Sequence, residues 1–369
     1  MSVTTTAGVA TDAKPKAGNR YTHIDAMRAA AVMLVVLAHA GLGSYVPGGS
    51  GVTIFFSISG FIITFLVMRE RDKNGGFGIG SFYVRRFLKI FPPLILAILV
   101  PSLLYSLFNP IDWDAVLAQT FFYYNWYKVD GGADILPGTG VVWSLSIEEQ
   151  FYIVFAIIWV ALVRYKYWRP VIVGISVFCV LYSTIARVLL FSAESGHDRI
   201  YYGSDTRLDG IAWGILAACW YHSWLTRGSP ETRVSRIAGK SAFAVVAVLL
   251  YVSSLVVRDE FFRETFRYSV QSVAACMLIV YGLMSGTGRF RQIFDRVCAS
   301  RVVAVIGIAS YSIYLAHLVV ALLLDGLLSG LPHALASFIA ASVGVGVGIG
   351  MFYLIEVPVL KWRTSVLKV

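Results

Sequence analysis

Ten stretches of about twenty mostly apolar residues alternate with shorter polar segments along the chain. They cover 27–46, 50–68, 87–108, 146–163, 171–191, 207–223, 241–257, 268–286, 302–325 and 333–356. A helix that rises about 1.5 Å per residue needs about 20 apolar residues to cross the hydrocarbon core of a bilayer. The pattern therefore predicts an all-α polytopic integral membrane protein with about ten transmembrane helices.

Positive charges give this pattern an orientation. Most of the 31 Lys and Arg residues lie in alternate loops, within the segments 14–20, 69–89, 164–169, 227–240, 289–301 and 361–368. Basic residues concentrate on the cytoplasmic side of membrane proteins, so these loops and both termini are predicted to be cytoplasmic. An even number of spans is needed for this arrangement, which agrees with ten. The same distribution accounts for the net charge of +10 without a nucleic-acid partner.

Composition and domain organisation fit the same class. The chain is 57% hydrophobic and 14% charged, which excludes an ordinary soluble domain. Residues 1–22 are polar and lack an apolar core, so we interpret them as a flexible cytoplasmic tail and not as a cleaved signal peptide. Residues 23–358 are predicted to form a single transmembrane domain, and 359–369 a C-terminal cytoplasmic tail. The four Cys residues fall in spans or in a cytoplasmic loop, where disulfides are not expected.

The first span contains a costly pair of ionisable residues. Arg28 and His39 frame an uncharged run from Ala29 to Ala38. In a helix this spacing puts His39 roughly 16 Å deeper in the membrane than Arg28. An ionisable side chain near the middle of a bilayer is expensive, so the pair indicates a function.

The cytoplasmic segment after the second span carries a cluster of positive charges. Arg85, Arg86 and Lys89 fall within about one helical turn, with Arg86 and Lys89 on one face. Two explanations fit them equally well: contact with lipid headgroups, and capture of a phosphorylated soluble ligand. Pro92 and the adjacent Pro93 are predicted to break this helix before the third span.

Polar residues in and before the later spans are candidates for chemistry or for acceptor binding. Glu148 and Glu149, at the outer mouth of the fourth span, can provide a general base or bind an acceptor. Glu149 also has the spacing of a capping box with Ser146. His317 in the ninth span can orient substrate or hydrogen-bond a neighbouring helix. The loop before the sixth span holds side chains suited to a hydroxyl-rich acceptor, namely Tyr201, Tyr202, Asp205 and Arg207.

Seven motifs, taken in order, resemble one family of integral-membrane acyltransferases, acyltransferase family 3. They are Arg28 with ten residues before His39, GVTIFFSISGFIIT at 51–64, SFYVRRFLKIFP at 81–92, WSLSIEEQFY at 143–152, YYGSDTRLDG at 201–210, SYSIYLAH at 310–317 and YLIEVP at 353–358. Together they cover nearly all of the transmembrane region. The sequence departs from the family's pattern at Thr53, where the family often has Asp, and at Lys89, where it often has Arg.

The resemblance implies transfer of an acyl group from cytoplasmic acyl-coenzyme A (acyl-CoA) to a hydroxyl group, commonly on a glycan outside the membrane. Acetyl is the first expectation for the acyl group and succinyl the second. The resemblance also implies functional roles for Arg28, His39, Arg86 and Lys89. Many members carry a fused soluble domain of the SGNH type. Because little chain follows the tenth span here, any second catalytic step is expected to need another protein.

The side chains fit this expectation physically. The phosphates of CoA suit the converging positive charges of Arg28, Arg85, Arg86 and Lys89. Burial favours the neutral imidazole of His39, which can then act as a general base or, alternatively, carry the acyl group. The oxyanion of the thioester needs hydrogen-bond donors, and the candidates are Ser59, Tyr311 and Tyr314.

Two alternatives differ in acceptor or in class. The acceptor can be a small molecule such as a macrolide in place of a glycan. Ten spans with buried histidine and arginine residues are also typical of proton-coupled transporters, although the motifs of 27–68 do not recur in the second half. In each case the protein is expected in a bacterial-type cytoplasmic membrane, in contact with lipids and without a metal ion.

Overall fold

The protein is a bundle of long helices, seen in a computed structural model that describes residues 20–367. Within this range it contains no strand. The ten long helices are α1 (Thr22–Leu42), α2 (Gly48–Asn74), α3 (Ile79–Ser106), α4 (Thr139–Leu162), α5 (Trp168–Ser192), α6 (Ser204–Thr226), α7 (Ser241–Val256), α8 (Arg267–Leu283), α9 (Ser310–Leu328) and α10 (His333–Ser365). Each predicted span overlaps one of them, so the all-α polytopic class is confirmed. The ninth span was predicted to begin at 302, but residues Arg301–Ile308 form a separate short helix before α9.

Short helices connect the long ones. They are Trp113–Thr120 and Tyr124–Val129 between α3 and α4, His197–Tyr202 before α6, Arg233–Ala238 before α7, Glu260–Glu264 before α8, and Arg289–Cys298 and Arg301–Ile308 before α9. The first nineteen residues of the predicted N-terminal tail lie outside the described residues. The predicted C-terminal tail is helical as far as Leu367.

Seven of the ten helices are long and apolar enough to cross a membrane by themselves: α1 to α5, α9 and α10. The other three are shorter or more polar. α7 has 16 residues and α8 has 17, whereas α6 carries Asp205, Arg207 and Asp209 in its first two turns. The count of ten crossings and the cytoplasmic position of the termini therefore stay predictions.

Small residues let the central helices approach closely. α6 packs against α2, α5 and α8. A Cβ atom added to Gly60 of α2 would collide with the backbone of Ile211 in α6, and one added to Gly214 of α6 would collide with the backbone of Ser57. This is the close packing that small residues provide in membrane helices. It places α2 at the centre of the bundle, where its other face is free to line a site.

α3 is continuous, so the prediction that Pro92 and Pro93 break it is wrong. Both prolines lie inside the helix, and a π-helical stretch, Ile95–Leu99, follows them. A proline removes one backbone donor, and a membrane helix accommodates that loss by local π-type rearrangement instead of ending. As a result the basic segment and the third span form one helix.

α4 begins earlier than predicted, at Thr139 instead of 146. Ser146 therefore lies inside the helix, and its hydroxyl donates to the carbonyl of Val142 at 3.3 Å. The capping box predicted for Ser146 and Glu149 is wrong, because a cap requires a residue at the helix terminus. Glu148 and Glu149 are mid-helix residues with other partners.

Candidate active site

A cavity of about 430 Å³ lies between six helices, α1, α2, α3, α4, α9 and α10. Along α2 it extends from Phe55 to Glu70, which is roughly 22 Å of helix. Its polar lining consists of Arg28, Ser59, Glu70, Arg85, Arg86, Lys89, Ser144, Glu148, Tyr152, Ser310, Tyr311, Tyr314 and Arg363. The remaining walls are apolar. The volume lies in the range of roughly 300–1,000 Å³ typical of small-molecule sites.

The four basic residues predicted to bind a donor meet in this cavity. The guanidinium of Arg85 pairs with Glu70 at 3.3 Å, and that of Arg86 pairs with Glu149 at 3.4 Å. Arg86 also lies over the ring of Tyr152, 3.1 Å from its centroid. Two of the positive charges are therefore partly neutralised by carboxylates.

Arg28 and Lys89 have no such partner. The Nε of Arg28 donates to the hydroxyl of Ser310 at 3.1 Å. Neither side chain lies within 4 Å of a carboxylate in the range 20–365, although Glu356 lies near both of them. The side chain of Lys89 is exposed to the cavity. An unpaired cation inside a membrane protein is costly, so this part of the cavity is suited to an anionic group.

The carboxylate of Glu148 lies on the same side of the bundle as the basic residues. It accepts hydrogen bonds from Ser59 at 3.0 Å and from Tyr152 at 3.4 Å. Glu149 is the partner of Arg86. The expected position of this pair, at the outer mouth of the fourth span beside the acceptor loops, therefore differs from the position found.

The three hydroxyl groups expected to stabilise an oxyanion all line the cavity and are all engaged. Ser59 donates to Glu148, and the phenol of Tyr311 donates to the carbonyl of Ile90 at 2.9 Å. The phenol of Tyr314 donates to the carbonyl of Val141 at 2.9 Å. Each hydroxyl must exchange its present acceptor before it can serve an oxyanion.

Tyr314 separates the cavity from a pair of histidines. His39 Nδ1 lies 2.9 Å from His317 Nε2, and the ring of His317 is 5.8 Å from the ring of Tyr314. His39 is exposed, whereas His317 is 2% exposed. Neither histidine lines the cavity. His317, predicted to bind the acceptor, thus makes its side-chain contact with His39.

Local backbone geometry places His39 at a distinctive position. It lies in a π-helical stretch, Ala38–Leu42, at the end of α1. This stretch includes Gly41, whose φ of +100° is accessible to glycine and strained for other residues. π-Helical turns occur frequently at functional sites. The geometry presents the imidazole at the end of the helix, away from Arg28.

The other predicted acceptor residues form a separate cluster. Asp205 is paired with Arg199 by two hydrogen bonds of 2.8 and 2.7 Å. Arg207 is 1% exposed, and its guanidinium lies 3.9 Å from the ring centroid of Tyr268. Tyr201 and Tyr202 pack against a single ring, that of Trp143, with centroids 4.8 and 5.2 Å away. The structure does not bring this cluster into the cavity.

Sequence reasoning did not assign several polar residues of the cavity to a site, among them Glu70, Tyr152 and Arg363. Glu70 accepts from the backbone N–H of Gly78 at 2.8 Å and pairs with Arg85, so it orders the mouth of the cavity. Tyr152 follows Glu148 by one helical turn, which was a readable signal. Arg363 was assigned to a tail, and only the continuation of α10 beyond its π-helical turn, Phe352–Glu356, brings it to the cavity.

Comparison with known proteins finds one matching family and several relatives. The model of one protein family, described as an acyltransferase domain, matches residues 21–356. The chain is 26% identical over 316 residues to the peptidoglycan O-acetyltransferase OatA of Listeria monocytogenes, with 80% of this chain and 48% of the relative covered. It is 27% identical over 308 residues to the O-acetyltransferase OatA of Staphylococcus aureus, with 80% and 49% covered.

The chain spans about half the length of the curated relatives it matches. No solved structure matches it significantly. The family match includes α1 to α9, most of α10 and every polar residue of the cavity except Arg363. The chain therefore belongs to acyltransferase family 3, and it is a multi-pass protein of the cell membrane.

Proposed function

We propose that this protein transfers an acetyl group, with succinyl as the second candidate, from acyl-CoA to a hydroxyl group of a cell-envelope or extracellular glycan. The observation that carries the proposal is the cationic cavity, which is lined by five basic side chains and two carboxylates and in which Arg28 and Lys89 make no direct ion pair among residues 20–365. We propose residues 23–358 as the catalytic unit. Family membership supports the reaction type, and the chemistry of the cavity supports the class of donor.

The shape and polarity of the cavity suit a CoA thioester. Arg85 and Arg363 lie where α3 begins and α10 ends, so they can meet the phosphates of the donor as it enters. The walls farther in are apolar, which suits a long uncharged arm. They are formed by Phe55, Ile58, Ile62, Ile63, Leu66, Val67, Ile90 and Leu145. A donor held in this way directs its thioester toward Tyr314.

The reaction needs one base and one path for the proton. The acceptor oxygen attacks the thioester carbonyl carbon, a C–O bond forms, and the C–S bond breaks. His39 takes the proton from the hydroxyl group and passes it to the leaving thiolate, so the products are an ester and free CoA. His39 lies beyond Tyr314, and Tyr314 therefore stands where the thioester and the acceptor must meet.

A glycan acceptor is supported by the name of a relative and by the chemistry of the outer cluster. The Listeria monocytogenes relative is named as a peptidoglycan O-acetyltransferase. We propose that Tyr201, Tyr202 and Asp205 contribute to acceptor binding from the region beside Trp143, where aromatic faces can stack on sugar rings. The alternative acceptor is a small molecule such as a macrolide, and the acetyl-transfer assay described next can be run with either acceptor.

The decisive experiment reconstitutes the purified chain in liposomes with radiolabelled acetyl-CoA and fragments of envelope glycan. We expect labelled ester in the presence of the wild-type protein. His39→Ala is expected to abolish transfer while still binding CoA. Lys73→Ala, which changes an exposed side chain at the end of α2 that does not line the cavity, is the control and is expected to keep full activity.

The outcomes separate the possible functions. Full activity of His39→Ala contradicts its assignment as the base. Solute flux across the liposome without acetyl-CoA supports a transporter instead. Label that stays on the wild-type protein when no acceptor is present, and is lost in His39→Ala, supports an acyl-histidine carrier in place of a general base.

A further inference from the structure

The two intramembrane histidines form one hydrogen-bonded unit. His39 and His317 are 278 positions apart, and His39 Nδ1 lies 2.9 Å from His317 Nε2. The other nitrogen of His317, Nδ1, lies 2.7 Å from the carbonyl oxygen of Tyr314 and 3.2 Å from that of Ile313. Each contact constrains which nitrogen carries a proton.

The backbone carbonyls settle the tautomer of His317. A carbonyl oxygen only accepts hydrogen bonds, so Nδ1 of His317 must carry its proton. The ring is 2% exposed and contacts no carboxylate in the described part of the chain, so burial favours its neutral form. Neutral His317 with a proton on Nδ1 has a lone pair on Nε2. That lone pair can only accept from the Nδ1–H of His39.

We infer that His317 is a positioning residue that holds His39 in the tautomer protonated on Nδ1, with a lone pair on Nε2. The inference rests on the proposed function for its catalytic meaning, because the lone pair on Nε2 is the site that takes the hydroxyl proton. If His317 were absent, His39 would be free to adopt the tautomer protonated on Nε2, which cannot accept a proton there. His317 therefore acts through His39 and not on the acceptor.

The surroundings of His317 hold it in this position. A Cβ atom added to Gly344 of α10 would lie only 3.3 Å from the Cα of His317, so α10 packs directly against its backbone. Tyr314, which supplies the accepting carbonyl, is fixed by its own hydrogen bond to Val141 and by contact with the hydroxyl of Ser144 at 2.8 Å. The His317 end of the hydrogen-bonded unit is therefore held between α4 and α10.

The tautomer can be measured without any activity assay. Nitrogen-15 NMR of the full-length protein in lipid, labelled only at histidine, distinguishes protonated from unprotonated ring nitrogens, and the spectrum of His39→Ala assigns the His39 signals. We expect protonated Nδ1 and unprotonated Nε2 on wild-type His39. A protonated Nε2 on wild-type His39 would overturn the inference.

Two amide variants with different reach test the consequence for turnover. Glutamine places its amide near the position of the histidine Nε2, whereas asparagine places it near Nδ1. His317→Gln can still accept from His39, so we expect it to keep kcat within about threefold. His317→Asn and His317→Leu are expected to lower kcat about 10- to 100-fold, the usual loss when the group that orients a working histidine is removed. The KM for acetyl-CoA is expected to stay unchanged, because His317 does not line the cavity.

The results keep this inference separate from the proposed function. Equal losses in His317→Gln and His317→Asn, or no loss in either, would refute the positioning role. Full activity of His39→Ala would refute the proposed base while leaving the measured tautomer intact. A shift of the His39 signals toward the tautomer protonated on Nε2 in His317→Leu supports the role even if that variant is inactive.

Discussion

Lys89 shows at the scale of one residue how charge selects a ligand. It is exposed in the cavity and has no ion-pair partner in the range 20–365, unlike Arg85 and Arg86. Its one-turn spacing from Arg86 places both on the same face of α3. Arg86 is already in direct contact with Glu149, whereas Lys89 makes no direct ion pair in that range, so Lys89 is the charge of this face that is more available to a ligand.

Removing that charge is expected to weaken donor binding. A hydrogen bond to a charged group contributes about 1.5–3 kcal/mol, so Lys89→Ala should raise the KM for acetyl-CoA about 10- to 100-fold with little change in kcat. Steady-state kinetics in liposomes measures both constants. Lys73→Ala is the matched control, since Lys73 is exposed at the end of α2 and does not line the cavity. An unchanged KM in Lys89→Ala would contradict a role in donor binding and would favour contact with lipid headgroups.

Arg207 is another residue whose guanidinium makes no direct contact with a carboxylate in the described structure, although Asp209, the partner of Arg187, lies nearby. The Nη2 of Arg207 donates to Thr53 at 3.2 Å, its Nη1 has no hydrogen-bond partner in the described structure, and aromatic faces surround it. At the position of Thr53, members of acyltransferase family 3 often have Asp. In this chain the attraction between the cation and the aromatic rings therefore takes the place of an ion pair.

Supplying the missing carboxylate is expected to stabilise the protein. Thr53→Asp should raise the free energy of unfolding by up to about 3 kcal/mol. That is the lower end of the destabilisation caused by removing one partner of a buried ion pair. Thr64→Asp on the same helix is the control and should destabilise, because Thr64 is buried and its hydroxyl has no hydrogen-bond partner in the described part of the chain. Thermal unfolding followed by tryptophan fluorescence measures both. A lower melting temperature in both variants would contradict the explanation.

At the scale of an element, the π-helical end of α1 determines where His39 points. Gly41 has a positive φ, and a Cβ atom added to it would lie 2.9 Å from His333 Nε2 and 3.0 Å from Ser337 Oγ. The turn is thus fixed both by its backbone conformation and by contact with α10. A change at Gly41 must move the segment that carries His39.

Gly41→Ala is expected to reduce both stability and turnover. The left-handed conformation costs about 1–2 kcal/mol for a residue with a Cβ, and the contacts with His333 and Ser337 add to that cost. Gly346→Ala in α10 is the control, since nothing lies within 4 Å of the added atom. Melting temperature and acetyl transfer are measured together. Equal stability and activity in the two variants would show that the turn does not hold His39.

At the scale of the whole molecule, the number of membrane crossings decides on which side the donor and the acceptor are bound. α6 is polar in its first turns, and α7 and α8 are short, yet α6 packs along α2 and α5, and α7 packs against α8. Helices packed along transmembrane neighbours are expected to cross with them. Ten crossings put both termini in the cytoplasm, whereas seven put the C-terminus outside.

Cysteine labelling distinguishes these topologies. In a chain whose native Cys residues are replaced, single Cys residues are placed at the exposed positions Glu231, Arg258 and Arg289. With ten crossings, a membrane-impermeant maleimide added to intact cells should label only Arg258→Cys. Labelling of all three would instead mean that α6, α7 and α8 do not cross.

The sequence by itself determined the fold class, the positions of the helices and the basic cluster. Water is absent from the hydrocarbon core, so each crossing must be an apolar helix. The hydrophobic pattern of the sequence therefore predicts the helices directly. Helix boundaries were less predictable. At the start of α4 the protein itself buries Trp143 and Ser144, so helix there precedes the continuous apolar run.

The tertiary structure alone decided which distant residues act together. The contacts of Glu149 with Arg86, of Thr53 with Arg207 and of His39 with His317 join different helices. Such contacts depend on how helices rotate and pack, and the periodicity of one helix carries no information about its neighbour's rotation. For the same reason, the spacing of Arg28 and His39 in the first span did not predict that Tyr314 lies between the cavity and the histidines.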